Sequence, residues 1–417
     1  MQARNASYSL KVRLTLVISS LERGGAERVL SILASAWAKQ RRCVSIVVLD
    51  RSDLPAYPLH HSIKLCGLGL PPGKSRHFLQ AIWRNLRKLR LLRRAVRVST
   101  PDVVISFMNI PNIITLLATR GMGIPVIVTE HVNPESMAIG RLWNILRRIT
   151  YPLAAALVCP TGSMVASFQK QIKVRGYAIF NPLEAPSTSR KPSERNINRQ
   201  AGRHTVVAMG RLAPEKGFDL LLEAFSRISE LHAHWRLNVV GDGPLKQQLE
   251  AQAEALGLQE KVNFMGVFPD PAPVLCDADL FVFSSRFEGF GNALCEAMAC
   301  GLPAISFDCT AGPSHIIRNG VDGVLVPPED VAALASAMTR LMDDPEERER
   351  LASRAPEVLN RFSKESALLL WEHLFDEVLP RPYSSDRFNA RRSSDPLNLR
   401  TGDCDRKQRD THVTNFI

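Results

Sequence analysis

Two clusters of charged and glycine residues in the second half of the chain have the make-up of an anion site. The first is Met209-Gly210-Arg211-Leu212-Ala213-Pro214-Glu215-Lys216-Gly217-Phe218-Asp219, lying between an apolar run at 205–209 and a helical periodicity at 220–228. On such a strand-to-helix loop Arg211 offers a bidentate fork and Lys216 a point charge, a pair suited to offset the charge of a departing diphosphate. The second cluster runs from Ser284 to Pro303, SSRFEGFGNALCEAMACGLP. Gly289 and Gly291 let backbone approach a ligand, and a helix beginning near Asn292 aims its free N–H groups at an anion. Glu288, on the loop, is placed to face a sugar; Glu296, within the helix, is placed to accept hydrogen bonds from ribose hydroxyls. The plain alternatives are a solvated basic loop for the first cluster and a solvated helix face for Glu296.

These residues need a scaffold that brings loops together. Short apolar runs at 14–18, 43–49, 103–107, 126–129 and 155–159 alternate with helical periods, which is the pattern of buried parallel strands in an α/β domain. At 181–203 the pattern lapses into Pro, Ser, Arg and Asn, marking a linker. A second series follows at 205–209, 236–240, 262–265, 279–283, 303–306 and 324–326. The expectation is an α/β protein of two doubly wound domains, 1–180 and 204–362, facing across a cleft. Open sheets bind ligands at the carboxyl ends of their strands, so two such sheets leave room for two substrates. A last helix is expected over 363–380, returning to the first domain, and a disordered polar tail over 381–417.

Composition narrows the classes. The formal charge of +12 calls for an anionic partner, but no helix-turn-helix, RNP-type or zinc-finger pattern supports nucleic acid. Eight cysteines include no CxxC pair and read as reduced core thiols. Asp277-Ala278-Asp279 leads straight into an apolar run and Asp403-Cys404-Asp405 lies in the tail, so neither reads as a metal site and no cofactor or metal is expected. The first apolar stretch is too short for a signal peptide, and no run is long enough to span a bilayer. The expected location is the cytoplasm, peripheral at the cytoplasmic face of the inner membrane.

In the two clusters the sequence resembles the retaining glycosyltransferases of family four, which have the GT-B fold of two Rossmann-like domains. Their E-x7-E pattern is matched by Glu288 and Glu296, and G-R-L-x-x-E-K-G by Gly210 to Gly217. Val239 to Pro244, Phe264 to Gly266 and Asn319 to Pro328 match in order over about 150 residues. The resemblance implies a nucleotide-sugar donor, UDP-linked by expectation, held mainly by the second domain and used without a metal. It implies that Arg211 and Lys216 bind the diphosphate, that Glu288 and the backbone of Phe290, Gly291 and Asn292 meet the transferred sugar, and that Glu296 holds the ribose. His315 stands where the family often has Glu, so no role carries over to that position.

The first half adds the acceptor side. Ser20 to Val29, SLERGGAERV, sets Gly24 and Gly25 between the first strand and helix; it resembles the glycine loop of bacterial polysaccharide and lipid-linked oligosaccharide transferases, bordering donor and acceptor. His131, in Thr129-Glu130-His131, follows a strand's carboxyl end and by resemblance contacts the transferred sugar. Asn109 is a candidate for the acceptor site or for simple turn capping. Residues 82–97, IWRNLRKLRLLRRAVR, place Ile82, Leu86, Leu89, Leu92 and Val96 on one arc, with Arg84, Arg87, Lys88, Arg90, Arg94 and Arg97 on the other and Arg93 at the apolar edge. Such a basic amphipathic helix can meet an anionic membrane surface or a pyrophosphate-linked glycan acceptor. The motifs SLERGGAERV, ISFMN and VTEHVNP and the segment 141–153 are similar to those of enzymes extending glycans on undecaprenyl diphosphate, N-acetylgalactosamine transferases included.

Other readings compete. A same-fold epimerase or phosphorylase has no need of the basic helix, a glycosidase reading of the two glutamates leaves Arg211 and Lys216 unexplained, and a non-catalytic binder has no reason to keep the whole cleft constellation.

Overall fold

The computed structural model describes residues 12–50, 55–69, 78–134, 139–188, 203–310 and 312–379, with 78–85 as backbone only. The expected tail over 381–417 and most of the 181–203 segment lie outside the described residues.

Short continuous apolar runs build two parallel sheets, each packed on both faces. In the first half β1 (Arg13–Ile18), β2 (Cys43–Val48), β3 (Lys64–Gly67), β4 (Val103–Phe107), β5 (Val126–Thr129), β6 (Ala156–Cys159) and β7 (Gly176–Ala178) lie in the order β3-β2-β1-β4-β5-β6-β7. Helices α1 (Gly25–Lys39), α2 (Phe78–Ser99), α3 (Asn109–Thr119), α4 (Arg141–Thr150) and α5 (Gly162–Gln169) cover it. Along β1, Leu14, Leu16 and Ile18 enter one core while Val17 enters the core on the other face. Val29, Leu30, Leu33 and Trp37 of α1 fill the first core; Leu92 and Val96 of α2, Ile113 of α3 and Phe168 of α5 fill the second.

The second half repeats the plan. Strands β8 (His204–Met209), β9 (Trp235–Val240), β10 (Val262–Gly266), β11 (Leu280–Phe283), β12 (Ala304–Phe307) and β13 (Gly323–Val326) lie in the order β10-β9-β8-β11-β12-β13. The helices are α6 (Phe218–Ile228), α7 (Lys246–Ala255), α8 (Ala272–Asp277), α9 (Asn292–Ala299), α10 (Pro313–Ile316), α11 (Val331–Asp343), α12 (Pro345–Arg354), α13 (Val358–Arg361) and α14 (Lys364–Val378). Asp279, part of a D-x-D triplet, accepts a hydrogen bond from Thr205 N at 2.8 Å and so ties β11 to β8.

The final helix crosses back. Leu368, Trp371, Leu374 and Phe375 of α14 join the core of the first sheet, with Trp371 edge-on to Trp37 at 5.6 Å. Arg42, buried, pairs with Glu372 and lies 5.3 Å from the Phe375 ring. Each fully buried side chain of this size contributes roughly 1.5–3 kcal/mol, so α14 clamps the two halves strongly.

Two strands, β3 and β7, have no counterpart among the expected runs. Both are short edge strands, and their residues are only half-buried or exposed, so no continuous apolar run marks them. In both sheets the order reverses beside the first strand, between β1 and β4 and between β8 and β11. The loops that carry the candidate residues leave the carboxyl ends of strands at these two switch points or next to them.

Candidate active site

The two second-half clusters meet. Lys216 and Glu288 form an ion pair, and Ser285 Oγ donates to the same carboxylate oxygen of Glu288 at 2.7 Å. Both side chains are largely buried, with the Lys216 ammonium 5.8 Å from the Phe283 ring centroid. The close approach depends on Gly217: φ is +60°, and a Cβ there would fall 2.1 Å from Ser284 O. No side chain fits, so the Lys216 loop seats directly on the end of β11.

Arg286 locks the clusters together. Its guanidinium takes Asp219 in a fork at 2.8 and 2.6 Å and donates to Pro214 O at 2.9 Å, while its backbone N–H donates to Glu215 O at 2.9 Å. Neither Arg286 nor Asp219 has a role in the sequence reading, although both stand inside the motifs. A fork of this kind fixes geometry as well as charge. Arg211 instead pairs with Glu215 at 2.5 Å, and its side chain remains mostly exposed.

Gly291, at φ +103°, leads into α9 with no side-chain cap, which leaves the first N–H groups of that helix to face the cleft. The ring of Phe290 is buried edge-on against Phe362 at 5.1 Å, so only its backbone borders the cleft.

The first domain closes against this surface. A Cβ on Gly289 would stand 1.9 Å from His131 O, so the Glu288 loop lies on the backbone of the His131 loop. Asn292 accepts from Asn181 Nδ2 at 2.8 Å and donates to Gly25 O at 3.4 Å. Arg23 reaches Phe268 O at 2.8 Å, and Ser163 Oγ lies 3.1 Å from His315 Nε2. Gly24 is extended backbone at the start of α1. The glycine loop, His131, Glu288 and the α9 terminus thus converge, and His315 makes an interdomain contact with Ser163.

Glu296 pairs with Arg28 of α1 at 3.1 Å. Burial pushes its carboxyl up to about 7, a shift that Arg28 only partly opposes. The pair borders a cavity of about 770 Å³ between the domains, which Tyr57, Ser31, Asp270 and Lys364 also line. Arg28 belongs to the quoted SLERGGAERV segment, yet its partner lies 268 positions away and only the fold reveals it.

His131 sits at the carboxyl end of β5, stacked on Phe107 with ring centroids 5.9 Å apart. Its Nδ1 is shielded from solvent with no hydrogen-bond partner among the described residues, and burial lowers the ring's pKa to about 4. The imidazole is therefore neutral near pH 7. Beneath it, buried Glu130 accepts from the Tyr151 hydroxyl, and Asn112 Nδ2 donates to Tyr151 Oη at 3.1 Å and to Thr129 O at 2.9 Å. Burial pushes Glu130 up to about 7, against the lowering effects of Tyr151 and Arg147. This supporting network is not evident in the sequence, where neither Asn112 nor Tyr151 stands in a motif that marks it.

Asn109 stays local: its Oδ1 accepts from Ile110 N at 2.7 Å, the geometry of a turn. On α2, Leu92 and Val96 are buried, whereas Leu86, placed on the apolar arc, is 43% exposed. Arg87, Arg90, Arg94 and Arg97 are exposed and Lys88 half-exposed; the Arg84 side chain lies outside the described residues. Arg93 donates to Ala118 O at 2.7 Å and Arg120 O at 2.8 Å, which explains its place at the apolar edge: it satisfies the end of α3. Among the described residues no group of three or more His, Cys, Asp or Glu is placed to hold a metal, and no helix is long and apolar enough to cross a membrane.

Comparison with known proteins agrees with this architecture. Residues 23–182 match the model for Glycosyltransferase Family 4, and residues 189–358 match the model for Glycosyl transferases group 1. The chain is 28% identical over 369 residues to the GalNAc-alpha-(1->4)-GalNAc-alpha-(1->3)-diNAcBac-PP-undecaprenol alpha-1,4-N-acetyl-D-galactosaminyltransferase of Campylobacter jejuni, covering 88% of this chain and 99% of that protein. It is 30% identical over 295 residues to the lipopolysaccharide core biosynthesis glycosyltransferase LpsD of Rhizobium meliloti, covering 70% of this chain and 80% of that one. In structure it is similar to Anabaena HepE, solved in complex with UDP and glucose, at a TM-score of 0.72 and 20% identity over 88% of this chain and 99% of that chain. With two Rossmann-like sheets, a cleft lined by both sequence motifs and these matches along both halves, the chain belongs to the GT-B glycosyltransferases, with a family 4 first half and a group 1 second half.

Proposed function

We propose that the enzyme moves a hexose or N-acetylhexosamine from a UDP-linked donor to a lipid-linked glycan during polysaccharide or glycoconjugate synthesis, retaining the anomeric configuration and using no metal ion. The observation that carries this reading is the Lys216–Glu288–Ser285 cluster beside the uncapped α9 terminus. Lys216, Arg211 and the helix end supply positive charge where the diphosphate departs, while Glu288 orients the sugar. The acceptor hydroxyl attacks from the face the diphosphate vacates, beside neutral His131. Glu296 takes the ribose once Arg28 yields. The acceptor class is supported by the undecaprenol-linked substrates in the names of two Campylobacter relatives and by the exposed basic face of α2. That face meets the pyrophosphate of the acceptor and an anionic membrane surface.

The test is incubation with a panel of nucleotide sugars and a membrane lipid extract, following nucleotide release and lipid-linked product mass. The expected result is release from a UDP-sugar that depends on the extract, yields a product of unchanged anomeric configuration and persists in EDTA. Product formed from donor alone would point to an epimerase. Loss of turnover in EDTA would overturn the metal-free step.

A further inference from the structure

Helix α4 faces two ways. Trp143 and Leu146 pack against the first-domain core, and Arg147 and Thr150 are buried. On the outer side Leu142, Ile145 and Ile149, with Leu153 in the turn after the helix, are 67, 55, 62 and 53% exposed. Spacings of three and four residues align them in one stripe along the helix. Single exposed apolar residues are ordinary, but four in a row on a face rimmed by exposed Arg141 and Arg148 mark an interaction surface.

Charge selects the partner. Residues 78–153, which contain α2, α3 and α4, hold eleven Arg and Lys against three Asp and Glu. Of those acids, Asp102 is paired with Arg13 at 2.9 Å and Glu130 is buried, which leaves little negative charge near the stripe. Helix α2 packs on α3 and α3 on α4, so the exposed arginines of α2 and the stripe of α4 belong to one helical layer. A second copy docking here about a twofold axis would set Arg141 and Arg148 against their own counterparts. An anionic bilayer accepts both features, taking apolar side chains below its headgroups and arginines at the phosphates.

Location agrees. Helix α4 runs into Tyr151, whose hydroxyl bonds Glu130, the neighbour of His131. The stripe is therefore built on the element that supports the first-domain wall of the cleft.

We propose that α4 is an interfacial helix that seats Leu142, Ile145, Ile149 and Leu153 among the acyl chains of an anionic membrane. This deepens the membrane-contact reading above, on which it rests, by naming the element that enters the lipid. The basic face of α2 then supplies salt-sensitive attraction and α4 a salt-resistant remainder.

The experiment is co-sedimentation of the full chain with phosphatidylcholine vesicles, with and without phosphatidylglycerol, at low and high salt. A combined Leu142→Ser, Ile145→Ser, Ile149→Ser variant is compared with a combined Arg87→Gln, Arg90→Gln, Arg94→Gln, Arg97→Gln variant, with circular dichroism and melting as folding checks. All seven side chains are exposed, so both variants are expected to fold. The serine variant should bind anionic vesicles roughly thirtyfold more weakly at either salt, with unchanged calorimetric affinity for UDP. The glutamine variant should lose binding at low salt and keep the high-salt remainder. Equal binding by the serine variant and the parent would overturn the role of α4 while leaving that of α2 standing. No binding of the parent to any vesicle would overturn both. Self-association of the parent that the serine substitutions abolish would assign the stripe to a second copy.

Discussion

The two walls of the cleft are built by opposite means. On the second-domain wall, charges are paired and exchanged: Lys216 with Glu288, Arg286 with Asp219, Arg211 with Glu215. On the first-domain wall, ionisable groups are buried and their charged forms disfavoured: burial lowers His131 to about 4 and raises Glu130 to about 7. The difference fits the proposed reaction. Under that proposal, the wall that receives a departing diphosphate needs charge close to the surface, whereas the wall that steers a neutral sugar and an acceptor hydroxyl needs fixed polar groups of low charge.

Removing charge from the second wall should have the largest effect. Lys216→Ala and Glu288→Ala are each expected to lower kcat/KM for nucleotide release by about a thousandfold or more, the loss typical of a preorganised electrostatic contact. Near-parental turnover in either variant would break the comparison at its stronger end.

Glu130→Gln tests the neutral wall through stability. Its folded-state pKa of about 7 lies above the ordinary 4.5, so its contribution is fully present below about 4.5 and is lost as pH rises through 7. Melts across pH 4 to 8 should show the parent losing about 3 kcal/mol relative to Glu130→Gln, an order-of-magnitude figure from the size of the shift. Parallel profiles for the two proteins would mean Glu130 is not held neutral.

His131→Ala should lower kcat roughly twentyfold with donor affinity little changed, because it removes one hydrogen bond near the reacting centre and no charge. A steep dependence of the parent rate on pH between 5 and 7 that vanishes in this variant would show that the ring titrates instead of staying neutral.

The smallest expected effect is at Glu296. With its carboxyl near 7, ionisation between pH 6 and 8 should strengthen donor binding up to about tenfold, since the carboxylate accepts ribose hydroxyls better than the acid does. Glu296→Gln should flatten that profile in isothermal titration, and an unchanged slope would remove Glu296 from the ribose.

Legibility in the sequence followed the same division. Continuous apolar runs revealed all but two strands; β3 and β7 escaped because edge strands need bury little. The charged motif on the second wall was readable because Arg211, Lys216, Glu288 and Glu296 stand at fixed local spacings, and the resemblance assigned them roles. The support behind His131 was not, since Asn112, Glu130 and Tyr151 converge only when α3, β5 and α4 stack, and no local spacing encodes that. The Arg28–Glu296 pair and the contact of Gly289 with the His131 backbone were hidden for the same reason. Leu86 was misplaced because helical periodicity gives a direction but not how far the neighbouring layer extends.

The most direct test of the central claim, that a cationic pocket in the second domain grips a sugar nucleotide, is calorimetric titration of the parent and of Lys216→Ala with UDP and UDP-sugars. The parent should bind with one site per chain, and Lys216→Ala should bind at least tenfold more weakly while keeping a folded circular-dichroism spectrum, its melting point lowered because Glu288 loses its ion-pair partner. Absence of binding by the parent to any UDP-sugar or to free UDP, or equal affinity in the two proteins, would contradict it.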